Sequence, residues 1–517
     1  MRVMTRRTGT IRGGVLLLLL GLSTPLVLPS QSRADDRASV QISPRHWAYE
    51  ALEILGSARL LTYPSPGLRP LTRHEISGMI GDLSTDEVPR EPYRTALNRL
   101  RHEFPLDRDI GFVPYLEMEA VTIGSTRDFR KNLDLYTPHR FSQGLNLGLQ
   151  FSLGAELTRY AAIFVSPYVL KSREGLKTGV DRIHLNLRTS RIALEIGKDV
   201  LWWGMGYHGN FVMTDNPPPL PMMKIRVHGG GFRYELLLAD GLIGPGGQQA
   251  RLVGASVEWS YFRRLAIQGS LGIVSEGRAS DLLKLVTSPT EADLLGNQIA
   301  ELGCSLSPWK GVRLYGVTAG DDIWNVGWAK RLISWGRASA YLVGAYLADP
   351  LRNGKTSFRI ERARLIEELQ EKLSDRGWGW YYQASERRPY PYLYKGYLIG
   401  HSMARAWEGR GYRANRRDLF LRITHRISPT TVLGLAGDLE SAEAGVPSPA
   451  SRKEILPLDD RLMRFALDLQ WITPGSWSLH IQAETLFEKR TVRGTDTTWS
   501  SREDLLCRLT MRYRMVH

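Results

Sequence analysis

Two stretches concentrate the side chains that hold sugars. Residues 199–226 carry Trp202, Trp203, Tyr207, His208, Asn210, Asn216, Lys224 and Arg226. Residues 378–401 carry Trp378, Trp380, Tyr381, Tyr382, Arg387, Arg388, Tyr390, Tyr392, Tyr394, Lys395 and His401. Flat aromatic faces suit the C–H side of pyranose rings, planar polar groups suit hydroxyls, and arginine grips a carboxylate through two parallel hydrogen bonds. The chemistry expected here is binding of a polysaccharide, and of an acidic one. Trp and Tyr also build the interfacial girdles of membrane barrels, so girdle or loop packing is the competing reading of both stretches. Adjacent strand residues face opposite ways, so at most one of Trp202 and Trp203 can face lipid.

Catalytic patterns are weak by comparison. A glycosidase needs two carboxylates at a set separation, and no pair among the 53 acidic residues stands out. The 11 histidines form no His-x-His or His-Glu-x-x-His spacing, the patterns that hold zinc. There is no Gly-x-Ser-x-Gly, and Gly229-Gly230-Gly231 lacks the strand-to-helix setting of a phosphate loop. No enzyme activity, cofactor or metal is expected. Cys304 and Cys507 give no disulfide framework.

The elements that would position these residues are export-targeted and mostly β. Arg2, Arg6, Arg7 and Arg12 precede an apolar run from Val15 to Leu28, and Ser32-Arg33-Ala34 offers a small-x-small cleavage site. Residues 1–34 therefore read as a secretory signal. Its loss removes five arginines and lowers the formal charge from +15 to +10. An exported, moderately basic chain points to anionic glycan or lipid surfaces rather than nucleic acid. After the signal no run of about 18 apolar residues occurs, so no transmembrane helix is expected.

Residues 35–110 read as a small helical region. Helices are expected over 44–59, after Thr72, and over 93–103, with Thr72 and Glu75 spaced as a capping box. From residue 111 to 517 the period changes to two. Leu145, Leu147, Phe151 and Leu153 alternate with Asn146, Gln150 and Ser152, and Met463, Phe465, Leu467, Leu469 and Trp471 alternate with Arg464, Asp468 and Gln470. The pattern runs on to Tyr513, so a last strand can pair with the first and leave no edge. The fold expected is an outer-membrane antiparallel β-barrel with a polar lumen. Arg422, Arg426, Arg508, Arg512 and Arg514 would face inward, either as an anion path or as salt-bridge partners of Asp468, Glu484 and Glu488. Residues 279–294 and 440–460 read as loops, and 362–376 as an amphipathic helix over one mouth.

Two patches resemble the capsule-assembly Wzi family of outer-membrane barrels. One is Gly197-Lys198-Asp199-Val200-Leu201-Trp202-Trp203-Gly204-Met205-Gly206, followed by Asn210 and Asn216-Pro217-Pro218-Pro219-Leu220-Pro221. The other is Tyr394-Lys395-Gly396-Tyr397-Leu398-Ile399-Gly400-His401, followed by a strand over 419–427. The family often has proline where Met205 stands, and Pro-Leu-Gly where Ser402-Met403 stands. The resemblance implies a barrel of about eighteen strands, an N-terminal helical part on the periplasmic side, and a lectin-like role in holding capsular or exopolysaccharide at the cell surface. The stretch from His46 to Ile76 resembles a single S-layer-homology repeat, which implies a cell-wall polymer as partner; a plain cap or plug on the barrel is the alternative. The functional alternatives are a channel for anionic solutes or oligosaccharides and, less well supported, a hydrolase. An open lumen would favour the channel, and a lumen filled by residues 43–110 the polysaccharide binder.

Overall fold

The computed structural model describes residues 37–516 apart from 276–295, 322–337 and 368–411, and apart from shorter stretches at 64–65, 82, 85–87, 89–90, 106–112, 127–128, 132–135, 190, 216–218, 230, 244–248, 448–454, 473–476 and 493–497. The expected signal segment lies outside the described residues. Among the described residues three helices come first: α1 (Ala48–Ser57), α2 (Arg73–Gly81) and α3 (Tyr93–Glu103), with the two-residue β1 (Leu68–Arg69) between the first two. The capping box forms as read. The Thr72 amide donates to the Glu75 carboxylate at 2.7 Å, and the Glu75 amide donates to Thr72 Oγ1 at 3.1 Å.

From Val113 the chain is β. After β2 (Val113–Ser125) comes a small hairpin of β3 (Phe129–Lys131) and β4 (Tyr136–Phe141). Then follow β5 (Gly144–Thr158), β6 (Ala161–Ser172), β7 (Gly175–Arg188), β8 (Ile192–Asp199) and the two-residue β9 (Trp202–Trp203). The next strands are β10 (Leu220–Gly229), β11 (Phe232–Ile243), β12 (Gln249–Tyr261), β13 (Leu265–Ser275), β14 (Gly296–Leu306), β15 (Val312–Asp321), β16 (Ala338–Leu347) and β17 (Thr356–Glu367). The last are β18 (Tyr412–Arg426), β19 (Thr431–Pro447), β20 (Ile455–Ile472), β21 (Trp477–Val492) and β22 (Thr498–Val516).

Eighteen of these form one closed antiparallel barrel. Closure is the pairing of β2 with β22, from Tyr115 opposite Val516 to Ser125 opposite Leu506. Two expectations change in detail. Residues 362–367 belong to β17 rather than a helix: they stay paired with β16 without a break, from Arg362 opposite Val343 to Glu367 opposite Ala338; residues 368–376 lie outside the described part. The expected loop over 440–460 is largely strand, since β19 and β20 stay paired out to Pro447 opposite Ile455. Residues 279–294 are not described.

The distribution of burial is inverted relative to a water-soluble protein. Leu147, Ile183, Leu435, Leu467 and Ile481 are exposed at 37% or more, whereas Asn186, Glu235, Arg464, Asp468 and Gln482 on neighbouring positions are at most 2% exposed. An outward apolar band around a polar interior is the arrangement that lipid requires, because charged groups then meet protein rather than hydrocarbon. Exposed aromatics cluster at one end: Tyr160, Phe262 and Trp309 lie in the short turns after β5, β12 and β14, and Trp471 and Trp477 flank the connection from β20 to β21. The longer connections, including 276–295, 322–337 and 368–411, all leave from the opposite end.

Candidate functional site

The bore is occupied from both ends. The helical part enters at the short-turn end: the Ala38 amide donates to Arg159 O, the Gly311 amide to Ser57 O, and Arg59 Nε to Ser307 O at 3.0 Å. The connection from β8 to β10 folds in from the other end and carries β9. The two meet inside, where β1 pairs with β9 through Leu68 opposite Trp203 and Arg69 opposite Trp202.

Charge pairing with the wall fixes both inserts. Arg313 on β15 donates to Glu53 of α1 at 2.6 Å, to the Met205 carbonyl at 2.7 Å and to Ser305 Oγ at 2.8 Å. Arg359 on β17 donates to the same Glu53. Burial pushes the Glu53 carboxyl up, but the Arg359 and Arg313 guanidiniums outweigh it and hold the group at about 2. Glu75 at the start of α2 receives Arg226 Nη1 at 3.0 Å. Arg226 also donates to Glu235 through Nε at 2.7 Å and to the Pro70 carbonyl at 2.8 Å. Burial pushes the His46 imidazole well below its ordinary value, helped by the Arg514 guanidinium, so it sits neutral between α1 and β22.

The inward connection is held through its backbone. The amides of Tyr207, His208 and Gly209 donate to the Glu361 carboxylate at 2.8, 3.1 and 3.2 Å, and those of Phe211 and Val212 to Glu301 at 3.1 and 3.2 Å. Buried loop amides need such partners, since none comes from a ladder. The turn after Trp203 depends on glycine. Gly204 has φ +132°, and a Cβ there would lie 2.1 Å from Asn210 Oδ1. That oxygen accepts the Gly206 amide at 3.0 Å. Sequence reading missed Glu301 and Glu361; Glu301 is an acidic residue between the apolar Ala300 and Leu302, a signal that could have found it, whereas Glu361 stands beside the exposed Arg362 and carries no such signal.

Of the expected sugar-site residues, Trp202, Trp203, Tyr207, His208, Asn210, Lys224 and Arg226 are described, and all but Tyr207 are buried. Trp202 and Trp203 are 0% exposed. Neither faces lipid or solvent, because β9 lies inside the bore rather than in its wall. Trp203 Nε1 donates to Glu235 at 2.5 Å, and Trp202 lies under the Arg45 guanidinium at 4.6 Å. Arg45 in turn grips Asp215 through two bonds of 2.6 and 3.0 Å. Asn210 and Arg226 are consumed by the contacts given above. Trp202, Trp203, Asn210 and Arg226 thus pack and position the two inserts. Tyr207 is half-buried and lines a partly open cavity in the bore, with the Arg359 guanidinium 3.8 Å over its ring. Asn216, Trp380, Tyr381, Tyr382, Arg387, Arg388, Tyr394 and His401 lie outside the described residues.

That cavity measures about 1180 Å³. The helical part contributes Arg45, Trp47 and Arg99; the wall contributes Gln150, Tyr168 and Arg182 on one side and Arg422, His480, Arg508, Arg512 and Arg514 on the other. The arginines expected to face inward do so, but mostly with partners other than those expected. Arg512 bonds Glu119 at 2.6 Å and Arg514 bonds Glu117 at 2.6 Å, both across the closing seam on β2. Arg508 is 3.6 Å from Glu119. Arg422 bonds Asp468 at 3.2 Å, as expected. Arg426 is 3.7 Å from Glu91, Glu488 bonds Arg490, and the buried Glu484 acts on Arg464. The S-layer-homology-like stretch turns inward too: His74 Nε2 is 3.2 Å from Glu156 on β5 and Arg73 bonds Glu103 at 2.9 Å.

Comparison with known proteins agrees with this geometry. No curated protein matches the chain. The solved structure of Wzi from Escherichia coli, described as an outer-membrane, carbohydrate-binding β-barrel involved in group 1 capsule assembly, aligns at TM-score 0.60 and 15% identity over 92% of this chain and 99% of that one. Two Pseudomonas aeruginosa structures align less well: OccK3 at TM-score 0.46, 12% identity, 78% of this chain and 96% of that one, and OpdK with vanillate at 0.46, 10%, 79% and 100%. Residues 137–240, which include the Trp-Trp-Gly turn and the inward connection, match the model of the family described as Capsule assembly protein Wzi. The chain thus matches the model of the capsule-assembly Wzi family over residues 137–240, and its eighteen-stranded barrel is similar in fold to that of Wzi.

Proposed function

We propose that this protein binds surface polysaccharide at the outer membrane and organises capsular or exopolysaccharide there without catalysing a reaction. The observation that carries the reading is the doubly filled bore. A conducting pore needs a continuous aqueous path, whereas here the helical part and the inward connection meet in mid-barrel and are ion-paired to strands around the wall. The carbohydrate-binding Wzi barrel, similar in fold over nearly its whole length, supports the same reading. The helical part, residues 35–110, acts as a plug. Short turns mark the periplasmic end of such barrels, which puts the plug on the periplasmic side and the long connections outside. The segment 368–411 leaves from that outer end, so Trp380, Tyr381, Tyr382, Arg387, Arg388, Tyr394 and His401 are the residues assigned to the polymer. Their aromatic and guanidinium groups suit an acidic glycan. Cleavage of the signal after Ala34 completes export.

The test is binding of the detergent-folded protein to the producing cell's own surface polysaccharide, beside single-channel conductance in a planar bilayer. Saturable binding without steady conductance is expected, weakened by Tyr382→Ala and by Arg387→Ala. Steady anion-preferring conductance with no glycan binding would overturn the reading in favour of a channel.

A further inference from the structure

Three buried groups of the β7–β8 pair converge, each with at least one polar atom left over. A ring nitrogen of His184 and one carboxylate oxygen each of Glu195 and Asp199 lie within 4.8 Å of one another. All three residues are at most 2% exposed. Both ring nitrogens of His184, Oε1 of Glu195 and Oδ2 of Asp199 lack a hydrogen-bond partner among the described residues. His184 Nδ1 is 3.5 Å from Asp199 Oδ2, and the ring stacks on Phe164 at 5.1 Å, which fixes its plane. Buried polar atoms are ordinarily paired, so three such atoms facing one another point to something that satisfies them together.

The other oxygen of each carboxylate is already engaged. Asp199 Oδ1 accepts from Arg182 Nε and from the Val200 amide at 2.7 Å. Glu195 Oε2 lies 2.7 Å from Lys224 Nζ and accepts from Gln41 Nε2. Holding one carboxylate oxygen and leaving the other is how outer partners orient the ligands of a metal ion. We propose that His184, Glu195 and Asp199 form a site for a divalent transition-metal ion of the zinc class, completed by water. One imidazole nitrogen with two carboxylate oxygens is a donor set that zinc accepts in tetrahedral geometry, whereas calcium asks for six or more oxygens. Arg182 and Lys224 already balance both carboxylates, so the ion binds less tightly than in a cysteine-rich structural site.

A second cluster shows what the first lacks. His208, Asp418 and Asp438 also converge within 4.8 Å. There the Arg464 guanidinium bonds Asp438 Oδ2, the same oxygen that faces His208 Nε2 at 3.7 Å, and so takes the place an ion would fill. The β7–β8 site has a consequence for the plug. Glu195 anchors Gln41, and Asn186, its register partner, donates to the Ser39 carbonyl at 3.1 Å. An ion there clasps the segment leading into α1 to the barrel wall.

The experiment uses the full-length, detergent-folded protein, stripped with chelator and titrated with Zn²⁺ by calorimetry. Retained metal is counted by mass spectrometry, and Co²⁺ serves as a visible-absorption probe of an N/O site. One ion per chain is expected, with affinity lowered roughly tenfold or more by His184→Ala and Glu195→Gln and unchanged by Asp418→Asn. Failure of the wild type to retain stoichiometric metal, or equal retention by both variants, overturns the site. Heat-modifiable gel mobility checks folding; if Glu195→Gln misfolds through loss of its Lys224 contact, His184→Ala, whose ring makes no hydrogen bond, decides alone.

Discussion

The two sides of the bore solve the same problem differently. Along β10 to β17 the wall gives its charges to the inserts: Glu301 and Glu361 take backbone amides of the inward connection, Arg313 and Arg359 take Glu53, and Arg226 takes Glu75. Along β18 to β22 and β2 the wall pairs mostly with itself, Arg512 with Glu119 and Arg422 with Asp468, and the cavity remains beside it. The difference teaches where ligand-accessible volume can exist. A charge spent on an insert excludes water and locks the fill, while charges paired within the wall leave the space in front of them open.

The largest effect should come from the filled side. Glu53→Ala leaves two buried guanidiniums without their carboxylate, and breaking such a pair costs about 3–5 kcal/mol. Urea unfolding in detergent, together with protease release of the helical part, measures it; an unchanged midpoint would mean that the inserts are not held by these pairs. The same group predicts the pH dependence. Its folded value of about 2 lies below the ordinary 4.5, so the folded form binds fewer protons than the unfolded one. Its contribution is full above pH 4.5 and fades as pH falls toward 2.

Next in size is a change outside the bore. Leu467, 48% exposed at the middle of its outward row, should cost about 2–4 kcal/mol on substitution by Arg in a bilayer. A smaller loss in vesicles would mean that the row does not face lipid. Gly204→Ala should cost about 1–3 kcal/mol, because its φ and its distance to Asn210 both resist a side chain. Limited proteolysis of the 200–219 connection reports that loss. Arg512→Ala should be the mildest, at most about 1 kcal/mol, because Arg514 and Arg508 still face Glu117 and Glu119. If it nonetheless weakens acidic glycan binding, the cavity side belongs to the polymer site; if binding is unchanged, the polymer stays on the outer connections.

The alternation of Met463 to Trp471 against Arg464 and Asp468 was legible because a period of two allows only one assignment of faces once one side must meet lipid. The capping box was legible from a three-residue spacing, and closure is the pairing of β2 with β22. What no spacing carried was the fate of Trp202 and Trp203. They sit at a strand end and read like girdle or ligand aromatics, yet the chain turns at Gly204 into the bore and pairs with Leu68–Arg69. The partners of Arg512 and Arg514 were likewise hidden, since Glu117 and Glu119 lie nearly four hundred residues away and meet them only where the barrel closes.

The sequence by itself determined that this chain is β-rich, apolar outside and charged inside, because those properties are local periodicities that lipid and water read directly. Only the tertiary structure decided whether the interior is a path or a packed core. That depends on which inward charge finds which partner across a closed ring, and register between distant strands is set by closure and not by any neighbouring residue.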